Sequence, residues 1–357
     1  MPKNEPQSAF AEWRWVLGIA SLFLLLSSLP YWAGYRAQTD ELVFSGAVFN
    51  RLDVDAHLAA MQLGAGGAWQ QHLRFTSEPH EGAYVRMAYV LMGHAADALG
   101  LAIPAAFQVF RLSFGLLACL GIYALMAQAF DELFWRRLAF VWALSGSGLG
   151  WLMMAIGWLP QPDISPIDFW LIDPYPFFGM LMFPHFSLVT ALLAAMLVGF
   201  LSYLRRPRGW KLILVAVAGV LAQLAQSYAP LLADLGMAGA ALAEFLRQRK
   251  IRWQIVGALA IIALTQIPMS VYGAMVFWRN PLWGGFITQN ITLSPPPVYY
   301  FWGFALLWSP ALLGIWRTLR RLPRGQQDFE WNASLAAIVW LVGALILVHD
   351  RDRMFGW

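Results

Sequence analysis

Between Asn50 and Leu101 the chain gathers Asp53, Asp55, His57, Glu78, His80 and Glu81, six acids and imidazoles within about thirty positions of a sequence otherwise made of apolar runs. Carboxylates and imidazoles are the groups that take and return protons near neutral pH, and carboxylate oxygens also bind hard divalent cations. Asp53-Val54-Asp55 is therefore either a general base or a cation ligand, or it serves only the helix that follows, with Asp53 as N-cap and Asp55 complementing the positive end of the helix dipole. On that helix Asp53 and His57 share a face one turn apart while Asp55 points nearly opposite, so a carboxylate-imidazole pair is expected rather than a three-ligand site. Glu78-Pro79-His80-Glu81 supplies two more carboxylates and an imidazole, on backbone that the proline keeps extended, or else forms a solvated charged loop.

These groups need a platform, and the composition says what kind. Of 357 residues 59% are hydrophobic and 12% charged, against about 25% charged in a soluble domain, and the mean hydropathy is +0.56. The chain reads as an all-α polytopic membrane protein. Its 19 Trp and 11 Tyr suit extensive membrane-water interfaces. The formal net charge of +4 lies in short loops between apolar runs, so nucleic acid is not an expected partner and the lipid bilayer is. Cys119 stands alone, which excludes an internal disulfide framework and a cysteine-built metal site.

A hydrocarbon core of about 30 Å takes roughly 20 apolar helical residues per crossing. Runs of that kind fall at 15–32, 105–129, 138–159, 182–204, 211–228, 229–246, 253–277, 298–316 and 331–348, about nine transmembrane helices. The first run lacks a small-residue cleavage signature and is read as a retained span. With a cytoplasmic N-terminus, Arg136-Arg137, Arg205-Arg206-Pro207-Arg208 and the basic stretches 247–252 and 317–324 all fall inside. Outside would then lie 33–104, 160–181 and 278–297, parts of one transmembrane domain covering 1–357. The run 83–101 is long enough to cross but carries Arg86, His94 and Asp97, and counting it would put most later basic loops outside. It is expected to lie on the membrane surface, as is a short helix at 54–63, giving two interfacial helices in the first outer loop.

The second outer loop, with Pro160, Pro162, Asp163, Pro166, Asp168, Asp173, Pro174 and Pro176, is too proline-rich for a regular helix and is expected to hold Asp163 and Asp168 over a cavity. His185, in Phe183-Pro184-His185-Phe186, enters its span from the same side, either as a hydrogen-bonded structural group or as part of the site. No Walker-type phosphate loop or dinucleotide glycine fingerprint occurs.

The order of these parts resembles the GT-C class of integral-membrane glycosyltransferases, which includes the protein mannosyltransferases and the lipid A aminoarabinose transferases. A first span, a long outer loop with an acid near its start, surface helices, and Arg111-Leu112 opening the next span follow that layout. DVDAHLAAMQLGAGGAW, FTSEPHEG, MGHAADALGL, SGSGLGWL and FPHF are similar to bacterial multi-spanning proteins grouped with such transferases. The resemblance implies a bacterial inner-membrane enzyme with its site on the outer face, moving a sugar from a polyprenyl-phosphate donor to a glycan, lipid or protein acceptor. It carries the acceptor-activating or metal-binding acid, with a divalent ion as the implied cofactor, onto Asp53, with Glu78 and Glu81 as further acids. His57, His80, Arg86, Arg111, Asp163, Asp168 and His185 are then the expected substrate-binding groups, the arginines facing the leaving phosphate. Two features depart from the pattern. A tyrosine is expected near position 57, where this chain has His57, and the similar proteins run on beyond a basic cluster that 349–353 would represent, so the chain either lacks a C-terminal part or is a short form. A transporter or a non-catalytic membrane subunit are the alternatives; the first predicts inverted repeats and ionisable groups near the midplane, neither of which the sequence displays.

Overall fold

The computed structural model describes residues 6–159, 161, 163–289, 294–321 and 329–348. Pro160, Pro162, residues 290–293 of the third loop, the end of the basic stretch 317–324, and the cluster 349–353 lie outside the described residues. Among those described there is no strand, only one antiparallel bridge pairing Gln71 with Ala83. The protein is an all-helical, multi-pass membrane protein.

Five helices are long and apolar enough to cross a bilayer: α1 (Pro6–Arg36, its apolar part beginning at Phe10), α4 (Ile103–Ala129), α8 (Pro184–Arg205), α10 (Ala229–Gln248) and α11 (Trp253–Arg279). A sixth span arises if α13 (Pro297–Gly303) and α14 (Ala305–Arg321), bent by 92° at Phe304, are taken together. α9 (Gly209–Ala225) and the stretch Trp331–Ile346 of α15 (Phe329–Val348) are apolar but shorter. The expected crossing at 138–159 is not one helix. It divides into α5 (Leu133–Ser145) and α6 (Gly150–Ala155). Ser145-Gly146-Ser147-Gly148 is poor helix former, and it lets another backbone come in: a Cβ on Gly148 would lie 2.4 Å from the Gly303 carbonyl oxygen, while Leu149 N–H donates to the Trp302 carbonyl at 2.8 Å.

α8 lies at the centre, packed on α4, α9 and α10, with α15 laid along α10 and α11 along α9. Apolar side chains fill these contacts, Met196, Leu197, Phe200 and Leu201 of α8 among them. The bundle has two chemically different ends. At the arginine end Glu12 pairs with Arg136 (2.6 Å) and accepts from Tyr123, the Lys211 ammonium donates to the Ser202 and Arg206 carbonyls, and buried Glu244 binds Arg247, Arg252 and Asn332. The loop end carries the segment 37–102, the loop before α8, and the short helices α7 (Pro176–Met182) and α12 (Pro281–Gln289).

Two helices of the first loop build the platform of the loop end. α2 runs Arg51–Ala65, three residues earlier than the expected 54–63, and α3 runs Ala88–Ala98, five later than the expected 83–101. Arg86 takes a positive φ of 51°, a conformation that stops a helix from starting before it. It therefore lies outside α3 and not within the interfacial helix expected over 83–101. α2 and α3 meet through Gly64 and Gly93: a Cβ on Gly64 would lie 2.0 Å from the Val90 carbonyl oxygen, and one on Gly93 2.0 Å from that of Met61. Only glycine at both positions allows the two backbones to come this close.

Gly64→Ala or Gly93→Ala forces α2 from α3 and is expected to lower stability by about 1–3 kcal/mol, the usual cost of overpacking. Thermal unfolding in detergent measures it, and wild-type midpoints in both variants would mean that the helices have room to spare.

Candidate functional site

Asn50 precedes α2 in the left-handed conformation (φ 44°, ψ 61°) and its amide donates to the Asp53 carboxylate. Asn50, not Asp53, therefore occupies the cap position, and Asp53 stands in the first helical turn, exposed, with its side chain oriented by its neighbour. Asp55 is on the other side of α2 in an exposed ion pair with Arg51 at 2.9 Å. Solvent screening leaves such a pair worth little, and it holds Asp55 away from Asp53.

One turn along from Asp53, His57 turns into the protein. Its ring stacks on Tyr89 of α3 with centroids 4.0 Å apart and 10° between planes, and meets Phe183 and His185 edge-on at 5.1 Å each. The Tyr89 hydroxyl and His185 Nδ1 share a hydrogen bond of 2.7 Å. Burial first, then the neighbouring His185 and Arg86, hold His57 well below the usual imidazole value. Burial likewise pushes the Tyr89 phenol well above its ordinary value, against the opposing charge of Arg86. Both rings are thus neutral at pH 7. Together with His185 they form an uncharged aromatic wall whose geometry follows from the glycine contact between α2 and α3.

Charge stands at the rim of this wall. Asp53 and Arg86 are both exposed, and both are near enough for their fields to reach the Tyr89 phenol. Arg86, its guanidinium carbon 5.8 Å from the Phe286 ring centroid, also acts on His57 and on Tyr228. Tyr228 belongs to a second polar group: Gln226 donates to its hydroxyl, and both side chains bond Asp173. Asp173 is exposed to solvent on one side and crowded by protein on the other. That crowding raises its pKa to about 6, with the bonds from Gln226 and Tyr228 opposing the rise.

Of the remaining sequence candidates, His80, Asp168 and Arg111 hold the fold together, while Glu78, Glu81 and Asp163 are exposed. His80 accepts from Leu73 N–H at 2.9 Å through Nε2 and donates from Nδ1 to the Glu78 carbonyl at 2.9 Å, so both ring nitrogens hold its own loop together. The loop docks on α12, where the Trp283 indole donates to the Glu81 carbonyl at 3.1 Å. The Glu78 and Glu81 carboxylates are exposed, and no contact among the described residues joins them to Asp53. Asp168 accepts from Gly150 N–H at 3.0 Å and so caps α6; burial raises its pKa. Asp163 sits in an exposed turn. Arg111 is buried, donating to Gln108 (2.7 Å), Ser27 (3.1 Å), Ser28 (2.9 Å) and the Met180 carbonyl (2.7 Å), with its guanidinium carbon 4.4 Å from the Tyr31 ring centroid. Those bonds tie α1, α4 and α7 together and occupy the donors that a phosphate would need.

A divalent ion at Asp53 lacks companions. Among the described residues no three His, Cys, Asp or Glu are grouped to hold a metal, and the nearest imidazole, His57, is enclosed in its stack. Tyr89, Asp173, Gln226 and Tyr228 are the site groups that sequence reasoning passed over; the only trace of them is an aromatic inside an apolar helix and an acid next to a proline. No family model, curated protein or solved structure matches the chain, so the functional reading rests on this geometry.

Because the folded protein holds the Asp173 proton more tightly than the unfolded chain, that group's contribution to stability is complete below about pH 4 and declines as pH rises to about 6. Asp173→Asn removes the decline. Unfolding midpoints of the two proteins should coincide at the acid end and separate toward neutrality, with the variant the more stable; parallel curves would place Asp173 in ordinary solvent.

Proposed function

We propose that the protein is a GT-C-like membrane glycosyltransferase that moves a sugar from a polyprenyl-phosphate donor to a hydroxyl or amine on a glycan, lipid or protein acceptor. The observation that carries this reading is the placing of an exposed, oriented carboxylate, Asp53, and an exposed guanidinium, Arg86, at the rim of one neutral aromatic wall. A transfer of this kind needs both signs of charge at one site. Asp53 takes the acceptor proton as the acceptor oxygen or nitrogen bonds to the anomeric carbon, and the bond from that carbon to the phosphate breaks, its electron pair leaving with the phosphate. Arg86 offsets the charge that grows on the phosphate. The buried rings of His57, Tyr89 and His185 form the support on which Asp53 and Arg86 stand, and Asp173 with Tyr228 offers the sugar hydroxyls hydrogen bonds.

The topology belonging to this reading has the N-terminus in the cytoplasm of a bacterial cell, nine crossings with α5 and α6 as one broken span, and the site outside the inner membrane. The collection of basic side chains at the end opposite Asp53 supports it. Gln70→Cys should react with a membrane-impermeant maleimide in intact cells and Arg208→Cys should not, Cys119 being buried; labelling of position 208 alone would reverse the orientation.

Asp53→Asn keeps the shape and the interaction with Asn50 but removes the base. It is expected to cut transfer from a panel of polyprenyl-phosphate sugars by about 10²-fold or more at normal membrane expression, while Asp55→Asn retains most of the rate. Equal rates in Asp53→Asn and wild type would dismiss Asp53 as the base, and the absence of transfer by wild type from every donor in the panel would favour the non-catalytic alternative.

A further inference from the structure

α10 and α11 follow one another in the chain, yet α10 packs mainly on α15 and α8 and α11 mainly on α9. At the arginine end a groove of about 300 Å³ is left between them, walled by Ala241 and Phe245 of α10 and by Ile255, Val256 and Leu259 of α11. Lys250 and Arg252 stand at its mouth. Here the chain holds four cations, Arg247, Arg249, Lys250 and Arg252, against one acid, Glu244. That acid also lines the groove and is saturated, its two oxygens accepting from Arg247, Gln248, Arg252 and Asn332. Lys250 is exposed and bonds no acid among the described residues. Arg252 keeps 29% of its side-chain surface accessible while one of its nitrogens binds Glu244 at 2.9 Å. The other charges of this end do not reverse the balance. Residues 317–330 carry Arg317, Arg320, Arg321 and Arg324 against Asp328 and Glu330, the stretch 205–211 carries Arg205, Arg206, Arg208 and Lys211 with no acid, and Glu12, Asp131 and Glu132 share their segments with Arg14, Arg136 and Arg137.

We infer that this groove binds an anionic phospholipid of the leaflet at this end, with the phosphate on Lys250 and Arg252 and an acyl chain along Phe245, Val256 and Leu259. Position selects a lipid. Trp253 opens α11 and Trp210 stands in the first turn of α9, both exposed, and amphipathic rings of this kind sit at the membrane-water boundary. Arg252 adjoins Trp253, so the mouth is level with that boundary, and the walls run inward from it. At about 1.5 Å per residue, Ala241 and Leu259 lie roughly 10 Å along their helices from the loop, at the depth of acyl chains. Phe245 and Val256 are exposed, so the groove opens sideways to the bilayer. Charge then selects the headgroup, because cations that the protein leaves unpaired attract a net negative headgroup, whereas a zwitterionic one brings a cation of its own. The bound lipid joins α10 to α11. The site is at the opposite end of the bundle from Asp53, and the inference is independent of the proposed reaction.

The test is native mass spectrometry of the full chain released from nanodiscs of dioleoylphosphatidylglycerol mixed with dioleoylphosphatidylcholine. Wild type should retain phosphatidylglycerol in preference to phosphatidylcholine. Lys250→Gln should lower that preference about fivefold, the worth of one cation near an anionic surface. Because the exposed Lys250 ammonium bonds no acid among the described residues, this variant is expected to fold as wild type does. Arg14→Gln, which removes an exposed charge from α1 at the same end, should leave the preference unchanged. Val256→Trp fills the groove with both cations in place, and it should also lower retention of phosphatidylglycerol. The site is overturned if wild type shows no preference, if Lys250→Gln keeps it, or if Val256→Trp retains as much lipid as wild type. An equal loss in Arg14→Gln overturns it too, in favour of general attraction of anionic lipid to the basic end.

Discussion

The contact between Gly64 and Gly93 is the constraint from which the candidate site follows. Backbone meets backbone there with no side chain between, which sets the separation and angle of α2 and α3. His57, two turns before Gly64, is thereby laid flat on Tyr89, one turn before Gly93. Tyr89 in turn bonds His185 at the start of α8, the helix at the centre of the bundle. A surface element and the deepest element are therefore joined through three rings, and Asp53 is carried to the rim of that junction by the helix that holds His57.

The second organising fact is where charge is permitted. Arg111 and Glu244 are buried ionisable groups, and both are saturated with bonds. Arg111 gives its donors to two serines, a glutamine and a carbonyl, and Glu244 receives Arg247, Arg252 and Asn332. Burying a charge is tolerable only on such terms. Both side chains pin helices together, and both would be misread as reactive from their residue type alone. An exposed, incompletely partnered group such as Arg86 is one with interactions left to offer.

Local bonding also separates acids that look alike in the chain. Asp53 and Asp55 are two residues apart, yet one is oriented by Asn50 beside the aromatic wall and the other is held by Arg51 on the opposite side of the helix. Asp168 and Asp173 share a loop, but Asp168 caps α6 while Asp173 joins Gln226 and Tyr228 near Arg86. In each pair the partner, and not the carboxylate, makes the difference.

Much of this was open to reading in the sequence. Apolar runs give helices whatever they pack against, because a bilayer demands internally bonded backbone, and the basic loops mark one end of the bundle. The period of 3.6 residues placed His57 on the Asp53 face and Asp55 away from it, as found. What the sequence left undetermined depends on contacts between distant segments. Periodicity shows that Tyr89 lies within an apolar helix but not that His57 and His185 are its neighbours. Ser145-Gly146-Ser147-Gly148 weakens a helix, but the break belongs to Gly303, which needs that space from about 150 positions away. Arg86 left the predicted helix because the loop before α3 is tied to Tyr272 and Trp283, far along the chain. Composition and period are properties of single segments and were fixed by the sequence; the pairing of acid, base and cation is a property of several segments at once, and only their packing decided it.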